Sequence, residues 1–593
     1  MSLPWEFTER IVWFIPLIII ALFSSIRLTQ SLVRARFSFL GILYVINTHF
    51  IMVLSGGQMG VIWAIAIAPL VIHLSMHLVD LLHRESIKLV RTTCLVGVIG
   101  AIQLMFDARI FYITVMAIVP YIVFVFLNKG VKKVVYIRLM LVGTGAGLII
   151  FGLHAYWILP LIIYRTPIDT LLSPVYLSSD ALRFFSFADQ SHTMSLLHPN
   201  WPENIFGKMS FLRPEFLVFP ILAFSSLLFL GKEDREKKIK ILFFAFMGLI
   251  GAFLAKGVNQ PFGSLYEWMF VHVPGFVMFR DPTKFYVLIS ISYTVLIAYT
   301  LERSNDAVMR AIKHKKLFIY LRTGFFALLL SLLLFAFRDF YAGGIRGTLV
   351  PGKVPNEYVL LKDFLREDNG FARVLWVPTR SRYGYYDDNK RAISLETLSI
   401  ASTSAFIPWI TEEGNDKQLA RYGVKYIVVP SDVEHELFVK DGKPDNNARQ
   451  SIINAIDETR RYERYDRIDG ISIWRTSISF GHAFFVDQPN QSISVSMISP
   501  AEYSLVLPER DSDASIIFSE TYNPYWMLSV QDIELKPKRT PDGLQEYTIP
   551  KGVHGVATVR YVPQSVVGPL LILAWVIFAG ICIIIKINNY SRE

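Results

Sequence analysis

The sequence predicts a polytopic α-helical membrane protein, about eleven helices, with a polar α/β plus β-sandwich region near its carboxy terminus. Three observations carry that reading. Apolar runs of bilayer length recur along the chain. Only 18% of its 593 residues are charged while 53% are hydrophobic, whereas a soluble domain carries roughly 25% charge. Lysines and arginines, finally, crowd into alternate loops. The net charge of +10 therefore reports topology, and no nucleic-acid partner is expected.

A spanning helix needs about 20 apolar residues. The candidates are Ile11–Arg27, Phe37–Leu54, Val61–Leu82, Thr92–Phe106, Ile110–Leu127, Leu139–Tyr164, Phe216–Leu230, Ile241–Leu254, Phe285–Leu301, Leu317–Phe337 and Val566–Ile585. Two of them, Thr92–Phe106 and Ile241–Leu254, are short, as expected of tilted, buried or incompletely inserted segments. Cations follow the first, third, fifth, seventh and ninth spans, as with Arg34, Lys88, Lys132, Lys237 and Arg310. The positive-inside rule puts those loops in the cytoplasm. The loops Arg165–Glu215 and Gly257–Lys284, and the long segment Arg338–Ser565, then face outward from the plasma membrane. The amino terminus also lies outside. Met1–Arg10 has no cationic leader, so the chain reads either as an N-out protein or as one that starts partway through a larger bundle.

Residues 1–337 thus form a bundle and 566–593 a last helix with a cytoplasmic tail. Between them, 338–479 alternates helices and strands as an α/β domain does. Glu357–Arg366 and Asn447–Arg461 read as helices. Arg373–Val377, Lys425–Val429 and Ile471–Arg475 read as strands. From 480 to 565 only short strands recur, separated by Pro and Gly, which predicts a β-sandwich. Cys94 and Cys582 both lie in apolar runs, which excludes a disulfide framework or a cysteine zinc site in the polar part.

No Walker A sequence, no Gly-x-Gly-x-x-Gly after a strand and no His-Glu-x-x-His is present, which argues against an ATP-driven pump. Ionisable residues beside apolar runs are costly and mark either a site or a pair. Asp107 and Arg109 occupy a tight hairpin. Asp107 there is a base, a ligand for a divalent cation such as Mg or Mn, or a turn carboxylate paired with its neighbour. The loop Arg165–Glu215 holds Asp169, Asp180, Arg183, Asp189, His192, His198, Trp201, Glu203 and Arg213. It reads as a substrate loop or as an amphipathic helix on the bilayer. Arg280 and Lys284 flank the ninth span at headgroup depth and suit a lipid phosphate, or serve with Tyr286 as interfacial anchors. His73, His77 and His154 lie within spans, where helix-to-helix hydrogen bonding is expected.

Several stretches carry a resemblance. They are Ser55-Gly56-Gly57-Gln58 through Ala68-Pro69-Leu70, Phe279-Arg280-Asp281-Pro282-Thr283-Lys284-Phe285 and Tyr422-Gly423-Val424-Lys425-Tyr426. Two more are Ser519-Glu520-Thr521-Tyr522-Asn523-Pro524-Tyr525-Trp526 and Ile549-Pro550-Lys551-Gly552-Val553-His554. With them the chain resembles the GT-C glycosyltransferase superfamily. More narrowly it is similar to the YfhO-like membrane proteins and the family named for a 6-pyruvoyl-tetrahydropterin synthase-related membrane domain. The resemblance implies transfer of a sugar from a polyprenyl-phosphate donor to a cell-envelope glycan acceptor at the outer face. The donor phosphate would rest on Arg280, Lys284 and Arg109, the catalytic carboxylate would be Asp107, and Asp180, Asp189, His192 and Trp201 would belong to the substrate loop. Such enzymes place a catalytic acid in the first external loop. This chain reads as beginning beyond it, so a partner chain supplying that loop is a further expectation. The alternative is a non-enzymatic lipid-glycan binder or translocation partner.

Overall fold

The computed structural model describes residues 5–82, 87–129, 133–164, 179–198, 213–312, 315–338, 354–368, 370–378, 390–430, 437–440, 443–465 and 468–590. The chain forms two compact units, Met1–Pro351 with Gly568–Glu593, and Gly352–Val567.

The first unit is helical. In chain order its helices are α1 (Phe7–Thr29), α2 (Thr48–Ser55), α3 (Met59–Leu81), α4 (Ile87–Phe106), α5 (Ala108–Lys129), α6 (Lys133–Ile163), α7 (Ser179–Phe185) and α8 (Gln190–Met194). There follow α9 (Val218–Phe224), α10 (Arg235–Ala255), α11 (Gly263–His272), α12 (Tyr286–Ala311) and α13 (Lys315–Ala336). Among the described residues, ten helical stretches are long and apolar enough to cross a membrane. An eleventh crossing is a bent pair, a 3-10 helix over Ala35–Tyr44 joined to α2 at 45°. Asn47 makes the bend: its side chain accepts from Phe50 N at 3.0 Å and starts α2 inside the bundle. The two spans expected to be short are full length. α4 and α10 run on through Lys88, Arg91, Lys237 and Lys240.

Ion pairs sort the loops into two ends. Arg34 bonds Glu302, Arg303 bonds Glu233, and Lys240 lies 3.7 Å from Asp80. The segments after α1, α3, α9 and α12 therefore share a cation-rich end. At the opposite end, Lys284 Nζ donates to Gln58 Oε1 at 2.8 Å, so residues 35–55 travel from one end to the other. Arg338 Nη1 donates to Glu215 Oε1 at 2.8 Å, also at this opposite end. α12 is the central post, buried from Tyr286 to Glu302. Its hydroxyls are glued to neighbours: Ser292 donates to Phe244 O at 2.6 Å and Tyr293 to Met194 O at 2.8 Å.

The second unit opens with α14 (Asn356–Glu367) and continues through α15 (Thr403–Thr411), α16 (Asn415–Arg421) and α17 (Asn446–Glu458). Strands β1 (Ala372–Trp376), β2 (Lys390–Ile393), β3 (Val424–Val429), β6 (Tyr462–Tyr465) and β7 (Ser472–Thr476) form a mixed sheet of order β2-β1-β3-β7-β6. The pair β4 (Val439–Lys440) and β5 (Lys443–Pro444) stands apart. Alternation along the strands builds two faces. Val374, Trp376 and Val428 pack on Leu361 and Leu365 of α14, while Leu375, Ile427 and Val429 face Ile452 and Ile456 of α17.

From Ala483 to Tyr561 the chain is all strand, nine of them in the order β13-β12-β16-β10-β9-β8-β11-β15-β14. β8 (Ala483–Phe485) and β9 (Ser492–Ser499) link the halves, with β10 (Glu502–Leu507), β16 (Gly555–Tyr561), β12 (Trp526–Val530) and β13 (Ile533–Leu535) on one side. β11 (Ala514–Thr521), β15 (Leu544–Ile549) and β14 (Lys538–Arg539) lie on the other, around a core that includes Leu505, Phe518 and Val559. The final helix is α18 (Gln564–Tyr590). One helix expected to reach Arg461 ends at Glu458 instead, because Arg460 turns left-handed, at φ 50°, and β6 begins two residues later.

Candidate functional site

Four chain-distant segments meet at the end of the bundle away from the cations. The first is the Ser55–Gln58 turn. The second is the α4–α5 hairpin, brought close because Gly60 lies where a Cβ would stand 2.7 Å from Phe106 O. The third runs from Pro274 to Phe285 and is tied to α5 by Tyr112, whose hydroxyl donates to Pro274 O at 3.1 Å. Its turn uses Gly275 at φ 78°, a conformation that favours glycine. The fourth is the described part of the long loop, 179–198.

At the hairpin, Asp107 caps α5. Its Oδ1 accepts from Arg109 N at 2.9 Å and Ile110 N at 3.0 Å, and Oδ2 accepts from Arg109 Nη2 at 2.6 Å. Both oxygens are therefore occupied by the helix start and by Arg109. Arg109 in turn feels the charge of Asp281, which places hairpin and third segment in one field.

Lys284 is almost wholly buried and held between Gln58 and Asp281, with Nζ 2.9 Å from Asp281 Oδ2. An ammonium has three N–H groups. Two are taken, and the third has no protein partner among the described residues. Burial would raise the Asp281 carboxyl, but Lys284 and the Thr283 hydroxyl outweigh it and hold it at about 2. Asp281 is thus a weak base and a firm counter-ion. Arg280, half-buried, lies with its guanidinium 5.5 Å from the Phe185 ring centre.

The 179–198 segment does not lie flat on a surface. His192, Thr193, Ser195 and His198 are buried, and α8 packs between α10 and α12. Tyr286 donates to Leu197 O at 2.7 Å, and the Thr48 hydroxyl to Leu196 O. Asn259 anchors the approach by donating to Ser186 O at 2.8 Å and Ala188 O at 2.7 Å. Asp189 caps α8 and accepts from His192 Nδ1 at 2.8 Å. Burial pushes its carboxyl up, yet bonds from Ser191 and His192 bring it below the usual range. Asp180 stays exposed, 3.9 Å from Arg183. Trp201, Asp169 and Glu203 lie outside the described residues. Tyr286 is a buried hydrogen-bond donor, stacked on His49 at a ring separation of 6.1 Å and edge-on to His198 at 4.8 Å.

Gln58, Asn259 and His49 belong to this assembly; the sequence offers Gln58 only within the Ser55–Gln58 stretch that carries the resemblance, and the other two not at all. Asn47-Thr48-His49, a polar triplet inside an apolar run, was the available signal. Among the in-span histidines, His154 Nε2 donates to Ala101 O at 2.8 Å and so joins α6 to α4. Among the described residues no three His, Cys, Asp or Glu side chains converge.

No family model matches the chain, and no curated protein matches it. Among solved structures, the arabinofuranosyltransferase AftD from Mycobacteria shares its fold with a TM-score of 0.50 at 11% identity, over 93% of this chain and 51% of that one. A mutant form of the same enzyme matches at 0.49 and 11%, over 93% and 53%. The present chain thus spans about half the length of that enzyme. The likeness is one of fold: helices long and apolar enough to cross a membrane, followed by a β-rich carboxy-terminal region.

Proposed function

We propose that this protein is a GT-C-type membrane glycosyltransferase that moves a sugar from a polyprenyl-phosphate carrier to a cell-envelope glycan at the outer membrane face. The observation that carries the reading is the meeting of Asp107–Arg109, Gln58, Lys284–Asp281 and Arg280 at one end of such a bundle. The carrier phosphate would take the free N–H of Lys284 and the guanidinium of Arg280 and Arg109, charge-assisted bonds that strengthen as the leaving phosphate gains charge. Asp107 would accept the proton of the acceptor hydroxyl while its oxygen attacks the anomeric carbon and the polyprenyl phosphate departs. That role requires Arg109 to swing from Asp107 to the phosphate. Asp281, too weak a base, positions Lys284. Asp180, Asp189, His192 and Trp201 would frame the acceptor path, and no step is routed through a metal. Narrower kinship with the YfhO-like proteins is part of the same proposal.

A second reading, a lipid-glycan binder without turnover, is favoured by one fact: both Asp107 oxygens are already bonded. The test uses the full chain in nanodiscs with a polyprenyl-phosphate sugar. Arg280→Ala should weaken carrier binding by roughly 1.5–3 kcal/mol, and Asp107→Asn, which keeps the helix cap, should abolish transfer. A fully active Asp107→Asn protein would sink the base assignment. Carrier binding without any transfer would favour the binder.

A further inference from the structure

In the second unit, where β3 begins, β7 ends and β6 starts, lies a hollow of about 570 Å³. Four cations line it, Lys425, Arg460, Arg461 and Arg475, against one carboxylate, Glu463. Two of the cations are committed. Lys425 Nζ sits 2.8 Å from Asp368, and Arg461 Nη1 donates to Glu412 O at 2.9 Å. Arg460 and Arg475 are exposed, and neither has an ion-pair or side-chain hydrogen-bond partner among the described residues. Glu463 stands directly opposite Arg475 in the β6–β7 ladder. Opposite charges so placed usually join, yet these two form no ion pair.

A further feature marks the same place. Arg460 adopts φ 50°, a strained setting for a residue other than glycine and one found often at ligand sites. Tyr462, also in the lining, turns its ring into the core on the opposite face of the sheet from Glu463 and Arg475.

We propose that this hollow binds an acidic sugar unit, bearing a carboxylate or a phosphate, through Arg460 and Arg475. Guanidinium forks match either anion. Glu463 supplies an acceptor for sugar hydroxyls, which a bare anion lacks. The volume falls in the range of small-molecule pockets. Exposed aromatic platforms, on which a single-stranded nucleic acid would stack, are missing from the lining, since Tyr462 is buried. The site is independent of the transfer reading and would stand if that reading failed.

Calorimetric titration of the detergent-solubilised full chain tests it, with digalacturonate, glucose 1-phosphate, inorganic phosphate and a neutral glucose disaccharide as probes. At least one acidic sugar should bind, the neutral one should not, and the anion that binds tells carboxylate from phosphate. Arg475→Gln and Arg460→Gln should each weaken binding about tenfold, the loss of one charged hydrogen bond. Both arginines are exposed, so their variants should keep the wild-type melting midpoint. Failure of both acidic sugars to bind overturns the proposal, as does undiminished binding by the arginine variants. Inorganic phosphate binding as tightly as glucose 1-phosphate overturns its sugar component.

Discussion

Glu520 collects three donors on one oxygen. Arg373 Nη2 and Arg391 Nη1 each lie 3.0 Å from Oε1, and His482 Nε2 lies at 2.8 Å. The arginines come from β1 and β2 and the carboxylate from β11, so this one side chain welds the α/β layer to the sandwich within the second unit. Burial would raise the Glu520 carboxyl, but Arg373, the His482 bond and Arg391 outweigh it and hold it at about 2, against an ordinary 4.5. Burial also keeps His482 below its ordinary 6.5, and Glu520 only partly offsets that. Both shifts are downward, so the unfolded chain binds these protons first and stability falls with acid. The His482 share is complete above 6.5 and declines below it, and the Glu520 share is complete above 4.5 and fades as the pH drops toward about 2. Scanning calorimetry should show the second unit's melting midpoint falling as the pH is lowered from about 7 to 4. Glu520→Gln should lower the midpoint at neutral pH, by roughly 3 kcal/mol of lost stability, because it takes the counter-charge from the buried Arg373 and the half-buried Arg391. A Glu520→Gln protein as stable as the parent at pH 7 would show the cluster to be neutral.

At the scale of elements, the bend before α2 holds the buried loop in place. Each residue of Asn47-Thr48-His49 meets a different partner. Asn47 caps α2 and donates to Tyr44 O at 2.6 Å, Thr48 holds Leu196 and His198, and His49 Nδ1 lies 3.3 Å from the Ser290 hydroxyl. Thr48→Val keeps the shape and removes both bonds to the 190–198 segment. Hydrogen exchange there should quicken about tenfold, while α12 keeps its protection. Unchanged exchange would mean that Tyr286 and Tyr293 alone retain the segment. The triplet illustrates what sequence reasoning reaches. The eleven apolar runs were legible because a bilayer demands length and hydropathy together. The bend was not, since three polar residues vanish in a window of about 20. β2 escaped notice because it opens with Lys390 and Arg391, cations that only the fold reveals as bonded inside, to Gly370 O and Glu520. β6 went unread, and the helix before it was carried on to Arg461, because Arg460 offers no glycine to announce its left-handed turn. At the candidate site, Asp107, Arg109, Arg280 and Lys284 stood out as ionisable groups beside apolar runs. Gln58 did not, being neutral, and the convergence of four loops depends on packing that no local pattern encodes.

For the molecule as a whole, the ion pairs gather Arg34, Arg303 and Lys240 at one end and Arg338 with Glu215 at the other. If the cation-rich end is cytoplasmic, the chain leaves Arg338 on the outer side and the second unit follows it there. Asp532→Cys, on an exposed turn, should then react with an impermeant maleimide in intact cells, and reaction only after permeabilisation would reverse the orientation. α12 has a consequence of a different kind. It is buried on every side and carries Ser290, Ser292, Tyr293, Thr294, Tyr299 and Thr300 around its girth. Set alone in lipid, it would turn hydroxyls toward acyl chains that cannot bond them. During synthesis, then, α12 has no comfortable station of its own in the bilayer. Among the described residues only α10 and the 190–198 segment satisfy Ser292 and Tyr293, so the bundle is expected to close around α12 once both stand in place, an ordered assembly rather than a string of independent insertions.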